Sequence, residues 1–273
     1  MPKPEKAYKN IDFLNSKAAR TVRILCEYEE PKARLEAAGV QNTIVMFGSA
    51  RIRSEEEART ILQDAKDALA NGSGTQDAVD TAEKRLQLSK YYTDTVELSR
   101  RLTAWSMERS GADYHVCSGG GPGIMEAANR GASLVPGGKS VGLGISLPFE
   151  AGVNEFTPEE LAFEFHYFFM RKLWFLYLAK TVIVFPGGFG TLDEMFETLT
   201  LRQTGKIDRP LPTFLYGRKF WDQCLNLDAM VDAGTISPGD PDLFTVVDSV
   251  DEAFDLIVEA LEALESSVAS VEG

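Results

Sequence analysis

Two glycine-rich segments stand out as places where bare backbone can approach a ligand: residues 118–123 (SGGGPG) and 186–191 (PGGFGT). Glycine lacks the Cβ that keeps other backbones at a distance, and each segment leads from a β-like apolar run into a helix-like one. The unpaired N–H groups at a helix start, together with the positive end of its dipole, receive anions such as phosphate. Thr191 adds a hydroxyl donor at the second of these starts. Either segment alone reads more simply as a tight strand-to-helix turn; the pair points to one phosphorylated ligand. The dinucleotide fingerprint GxGxxG is not met, because Gly119 and Gly121 fill its first two places but Ile124 stands at the third. Nor is a Walker A loop, since Gly205 and Lys206 have Thr200 where the leading glycine belongs and Ile207 in place of Ser or Thr. NAD binding and ATP hydrolysis are disfavoured accordingly.

The charged residues near these loops each carry two readings. Residues 191–194 (TLDE) fit a capping box in which Glu194 does no more than cap its own helix. Arg171 and Lys172 fit a solvated pair at a helix start, yet cations are slightly unfavourable there, which favours a ligand-facing role. Glu126 follows the first loop by about one turn and either touches a sugar or base or offsets the helix dipole. Phe189 either stacks on a base or shields its loop. His115 falls inside a strand-like run and His166 inside an aromatic one, so both read as core or edge residues rather than general bases.

These residues need a scaffold, and the pattern of elements supplies one. Residues 43–47 (TIVMF) are short, β-rich and continuously apolar, as in a strand buried on both faces, and Gly48, Ser49 and Ala50 end the run. Further strands are expected at 114–117, 140–145, 181–185, 211–216 and 244–247, with helical segments between most of them. Residues 161–169 (LAFEFHYFF) alternate like an edge strand, and 170–180 (MRKLWFLYLAK) read as a helix. Such alternation implies one doubly wound, Rossmann-like parallel α/β sheet flanked by helices, with ligands beyond the carboxyl ends of its strands. Two additions are expected. A helix over 17–38 is interrupted by Pro31, and helices at 54–70 and 77–109 form a hairpin about the polar tip 71–75. The domain reading is a helical extension at 1–40 and a nucleotide-binding domain at 41–273, carrying the hairpin insertion 54–109, with a closing helix at 250–265.

Composition limits the partners. A formal charge of −13 argues against general affinity for nucleic acid or anionic membrane, so an anionic ligand must be held locally. Cys26, Cys117 and Cys224 are odd in number and outside any CxxC spacing, which suggests neither a disulfide framework nor a zinc site and suits a reducing cytoplasm. No secretory leader or membrane-length apolar run is apparent. Residues 163–175 are dense in Phe, Tyr, Trp and Met and suit a subunit contact or a core edge.

Taken together, GGGPGIMEAANRGA at 119–132, MRK at 170–172 and PGGFGTLDE at 186–194 resemble the LONELY GUY (LOG) family, long described as possible lysine decarboxylases. The resemblance covers most of 41–217. It implies a phosphoribohydrolase that splits the N-glycosidic bond of a nucleoside 5′-monophosphate, a cytokinin riboside monophosphate or AMP, into free base and ribose 5-phosphate. No cofactor or metal is implied, and a homodimer or larger assembly is. By the motif match Arg171 and Glu194 are catalytic; Gly187, Gly188, Gly190 and Thr191 hold phosphate; and Gly119, Gly120 and Gly121 contact nucleotide. Ser49, Lys172 and Glu126 complete the candidate substrate-binding set. The extension, the hairpin and Asp193, where many members have Glu, depart from compact members and leave the base open. A broad nucleotide nucleosidase and a non-catalytic nucleotide or molybdenum-cofactor carrier remain alternatives. Lysine decarboxylation fits least, because neither Lys172 nor Lys180 lies in a recognisable setting for pyridoxal phosphate.

Overall fold

The computed structural model describes residues 4–109, 114–147 and 152–272; the first three residues of the 1–40 extension lie outside it. In chain order the main elements are α1 (Ile11–Asn15), α2 (Arg20–Ala37), β1 (Asn42–Phe47), α3 (Glu55–Ala70), α4 (Gln76–Met107), β2 (Tyr114–Ser118) and α5 (Ile124–Ser133). There follow β3 (Ser140–Ile145), β4 (Ala162–Phe165), α6 (Phe168–Tyr177), β5 (Ala179–Val184) and α7 (Phe189–Gln203). The chain closes with β6 (Thr213–Tyr216), α8 (Arg218–Cys224), α9 (Leu227–Asp232), β7 (Thr245–Val247) and α10 (Val250–Glu272).

The seven strands form one sheet in the order β4-β3-β2-β1-β5-β6-β7, and every pairing is parallel. This is the doubly wound α/β arrangement expected of the alternating pattern. Its strands run apolar throughout because helices cover both faces. In β1, Ile44 and Met46 pack into one core with Leu98 and Leu102 of α4 and Ile124 of α5. Val45 and Phe47 pack into the other with Trp174 and Phe175 of α6 and Met195 of α7. The winding reverses between β1 and β5, so the loops leaving those two neighbours part in opposite directions and open a crevice at their carboxyl ends.

Several boundaries differ from the sequence expectation: the edge-strand run 161–169 is strand only over Ala162–Phe165, with Phe168 and Phe169 already in α6, and the closing helix runs past 265 to Glu272. The helix read over 170–180 stops at Tyr177, because Ala179 already pairs with Thr43 of β1. Leu211 and Pro212 precede β6 rather than belonging to it, although the Pro212 carbonyl still accepts from the Val182 N–H at 3.0 Å. Pro31 does not interrupt its helix: α2 continues through it to Ala37. Proline cannot donate to the carbonyl four residues back. That carbonyl, of Glu27, instead accepts the indole N–H of Trp174 at 2.9 Å. The Glu27 carboxylate accepts from the His166 and Tyr167 N–H groups at 2.9 and 3.2 Å, so α2 is pinned to the segment that leads into α6.

The hairpin forms as expected, with α3 and α4 joined over 71–75 and both helices opened by side-chain caps from Ser54 and Thr75. It does not merely project from the sheet, because α4 lies along α5, the helix that follows the first glycine loop. No helix among the described residues is long and apolar enough to cross a membrane.

Candidate active site

An open cleft of about 680 Å³ lies at the crevice, lined by Ser49 and Arg51 after β1, Met125 of α5, Arg171 of α6, and Gly188 to Leu192 with Glu194 at the start of α7. Three loops are stitched together beneath it. The Ser49 N–H donates to the Pro186 carbonyl at 3.1 Å, and the Ser49 carbonyl accepts from the Ile124 N–H at 3.1 Å. A Cβ at Gly48 would run into the Ile124 side chain at 2.5 Å. Gly123, at φ 73°, sits so close to Ser49 and Ala50 that only glycine fits, in conformation and in space.

The two glycine loops are unequal as anion receivers. In the first, the Gly120 N–H is taken by Ser118 Oγ at 3.0 Å and the Ile124 N–H by Ser49. Its carbonyls point into the protein, where the Asn154 amide donates to Gly120 and Gly121 at 2.8 and 3.2 Å. Asn154 also reaches Asn129, which joins Ser118 and Ser140 in a buried polar chain. The second loop opens α7 at Gly188 with no side-chain cap, leaving the first-turn N–H groups to face the cleft. Of the two helix starts, that at 188–191 is the one open to the cleft, and Gly119, Gly120 and Gly121 are not among the residues lining it.

The capping-box reading of 191–194 is overturned. α7 begins at Phe189, so Thr191 lies inside the first turn, buried, and Glu194 sits well past the position from which a cap is made. Glu194 instead faces Arg171, with Nη2 to Oε1 at 3.6 Å and both side chains largely buried. Arg171 Nε donates to the Leu143 carbonyl at 2.8 Å, and its guanidinium lies against Gly119, where a Cβ would come within 2.5 Å of Nη2. Burial pushes the Glu194 carboxyl up to about 7, against the pull of the Arg171 charge. Cys117 lies buried beneath, its thiol raised by the same desolvation, which makes it a poor nucleophile.

Other expected residues divide. Ser49, Gly188, Gly190 and Thr191 line the cleft, and Phe189, 93% exposed, stands at its rim. Gly187 packs under Thr191: a Cβ there would collide with the threonine side chain. Lys172 turns away, its ammonium on Asp193 at 2.8 Å and Glu197 at 3.2 Å, outside the cleft. Glu126 also leaves the cleft lining, its carboxylate held by the Tyr92 hydroxyl of α4 at 2.5 Å. That bond gives the hairpin a hold on α5. Asn154 and Tyr92 were not legible as site-supporting residues, since neither stands in a motif. Arg51 was closer to hand, because it directly follows the loop at the carboxyl end of β1.

Residues 125–257 match the model of the family described as Possible lysine decarboxylase. A stretch of 80 residues, 28% of this chain, is 34% identical to the cytokinin riboside 5′-monophosphate phosphoribohydrolase of Mycobacterium tuberculosis (strain ATCC 25618 / H37Rv). The match spans 40% of that relative's length. Among solved structures, the molybdenum cofactor binding protein from the phototrophic bacterium Rippkaea orientalis superposes with a TM-score of 0.42 at 17% identity, over 62% of this chain and 86% of that one.

Proposed function

We propose that this chain, whose residues 125–257 match the model of the family described as Possible lysine decarboxylase, is a phosphoribohydrolase acting on nucleoside 5′-monophosphates. The observation that carries the reading is the pairing of Arg171 with Glu194, one turn beyond an uncapped helix start that can receive a phosphate. The named activity of the mycobacterial relative supports the same reaction class.

The chemistry follows from the charges. With the 5′-phosphate on the first turn of α7, the sugar extends past Glu194. Breaking the bond between C1′ and the base nitrogen leaves positive charge on the ribosyl group and carries the bonding electron pair to the base. The Glu194 carboxylate faces the positive centre and accepts a proton from the water that attacks C1′. Arg171 keeps Glu194 partly ionised despite its burial and offsets negative charge developing nearby. The departing base takes up a proton from solvent while Glu194 returns the water's proton to solvent, so that one water is consumed and the products are free base and ribose 5-phosphate. Decarboxylation through a lysine aldimine lacks a candidate, since no lysine is among the residues lining the cleft. The reading includes a homodimer: Phe168, Phe169, Leu173 and Tyr177 of α6 are all exposed by 40% or more and form an apolar face at the cleft's edge.

The test is chromatographic detection of free base and ribose 5-phosphate after incubation with AMP, GMP, CMP and isopentenyladenosine monophosphate. Release is expected from the wild type and lost in Glu194→Gln, which should still bind AMP. Release far faster from the isopentenyl substrate would identify a cytokinin-activating enzyme, and comparable release from several a broad nucleosidase. No release from any substrate would overturn the hydrolase in favour of a nucleotide carrier.

A further inference from the structure

We propose that Arg51, Arg53 and Arg85 form a second phosphate-binding pocket beside the nucleotide cleft. The three guanidinium side chains, with Ala50, Ala58 and Ile61, line a cavity of about 180 Å³ between the loop after β1 and the base of the helical hairpin. Ala50 and Arg51 also line the cleft, so the two spaces adjoin.

The arginines are set apart by what they lack. Among the described residues, each of the other arginines has a carboxylate, a carbonyl, a hydroxyl or an aromatic ring in contact, as Arg59 has Glu55, Arg101 has Asp251 and Arg20 has the Tyr167 ring. Among the described residues, the side chains of Arg51, Arg53 and Arg85 make no hydrogen bond, ion pair or ring contact. In the acidic first turn of α3, Glu55 is engaged by Arg59 and Glu57 accepts from Ser54, while among the described residues Glu56 makes no ion pair with any of the three. Arg51 and Arg85 are exposed and Arg53 half-buried, so water reaches all three, and in a chain of net charge −13 they form a local basic site that an anion entering the cavity would neutralise. Guanidinium forks match the oxygens of a phosphate group. The cavity falls below the roughly 300 Å³ at which pockets for whole small molecules begin, which suits a single phosphoryl group rather than a second nucleoside.

That group has two sources, free inorganic phosphate or an additional phosphoryl carried by the nucleotide in the cleft. The pocket itself does not depend on the hydrolase reading; only the second source does. The experiment is calorimetric titration of the wild type and of Arg53→Ala/Arg85→Ala, neither residue lining the cleft, with inorganic phosphate, AMP and adenosine 3′,5′-bisphosphate. The wild type should bind one more equivalent of inorganic phosphate than the variant, or bind it about tenfold more tightly, while both bind and hydrolyse AMP equally. Tighter binding of the bisphosphate than of AMP, lost in the variant, would identify the nucleotide as source; no such gain would identify the free ion. Identical phosphate isotherms for wild type and variant would overturn the pocket, whatever happens to AMP. Arg53→Lys/Arg85→Lys, which keeps the charge, should restore part of the binding, and Arg85→Ala alone serves if the double variant is unstable.

Discussion

Glu194 is the residue on which most depends, because its position sets its proton affinity. Its carboxyl is raised from 4.5 to about 7 by burial, so near neutrality it is divided between two forms. If the ionised form stabilises the ribosyl cation, kcat/KM should climb with pH through about 7 and level off above it. Arg171→Ala, which removes the charge that lowers this value, should move the midpoint upward. A flat profile between about pH 5 and 9 would remove Glu194 from the reaction. The same shift bears on stability. A carboxyl that is easier to protonate in the folded state contributes stability that is fully present below about 4.5, is lost as pH rises from there through about 7, and changes no further above it. The shift corresponds to at most ~3 kcal/mol. Relative to wild type, Glu194→Gln should therefore gain stability between about pH 5 and pH 8, as read from denaturant midpoints. No pH-dependent difference would mean that the carboxylate is not desolvated.

At the scale of elements, the glycines of one loop have separable duties. A Cβ at Gly187 would collide with Thr191, so Gly187→Ala must displace the first turn of α7 and should lower both stability and activity. A Cβ at Gly190 meets nothing within 4 Å, and that residue lies inside the helix. Gly190→Ala should leave the fold intact or stabilise it by up to ~1 kcal/mol, yet raise the KM for AMP by about tenfold as the methyl enters the phosphate's space. Equal KM values for Gly190→Ala and wild type would move the phosphate elsewhere. Across the crevice, Asn154→Ala would leave the Gly121 carbonyl without its donor and break the chain to Asn129, at about 1–3 kcal/mol. Thermal melts would show that loss, together with a lower kcat as the Gly119 backbone behind Arg171 loosens.

For the whole molecule, the acidic surface keeps copies apart except where apolar side chains meet water. The exposed face of α6 lies beside Lys172, Asp193 and Glu197, a paired-charge border of the kind that rims an interface. Light scattering behind size exclusion should give a dimer for the wild type and a monomer for Phe169→Glu/Leu173→Glu. A monomeric wild type would sink the assembly, and a dimeric variant would move the interface to another face. The winding of the sheet explains why function gathers at one edge. β1 and β5 are neighbours in space but separated by nearly half the chain, and the crevice exists only because their following loops diverge.

Much of this was legible in the sequence because it depends on local physics. Continuous apolar runs gave away strands buried on both faces, glycine clusters marked the turns into α5 and α7, and the polar tip at 71–75 announced the hairpin. Arg171 and Glu194 were named through motifs; that they face one another at 3.6 Å is a matter of which strands are neighbours. Only the tertiary structure decided the rest. It set Thr191 inside its helix rather than at the cap, turned Lys172 and Glu126 to other partners, and let an indole from α6 take the carbonyl that Pro31 leaves open. The outcomes at Lys172, Glu126 and Pro31 are each set by a group distant in sequence. Local propensity carries no information about which distant donor will arrive, so a hydrogen-bond or charge partner is determined only once the sheet has fixed what lies beside what.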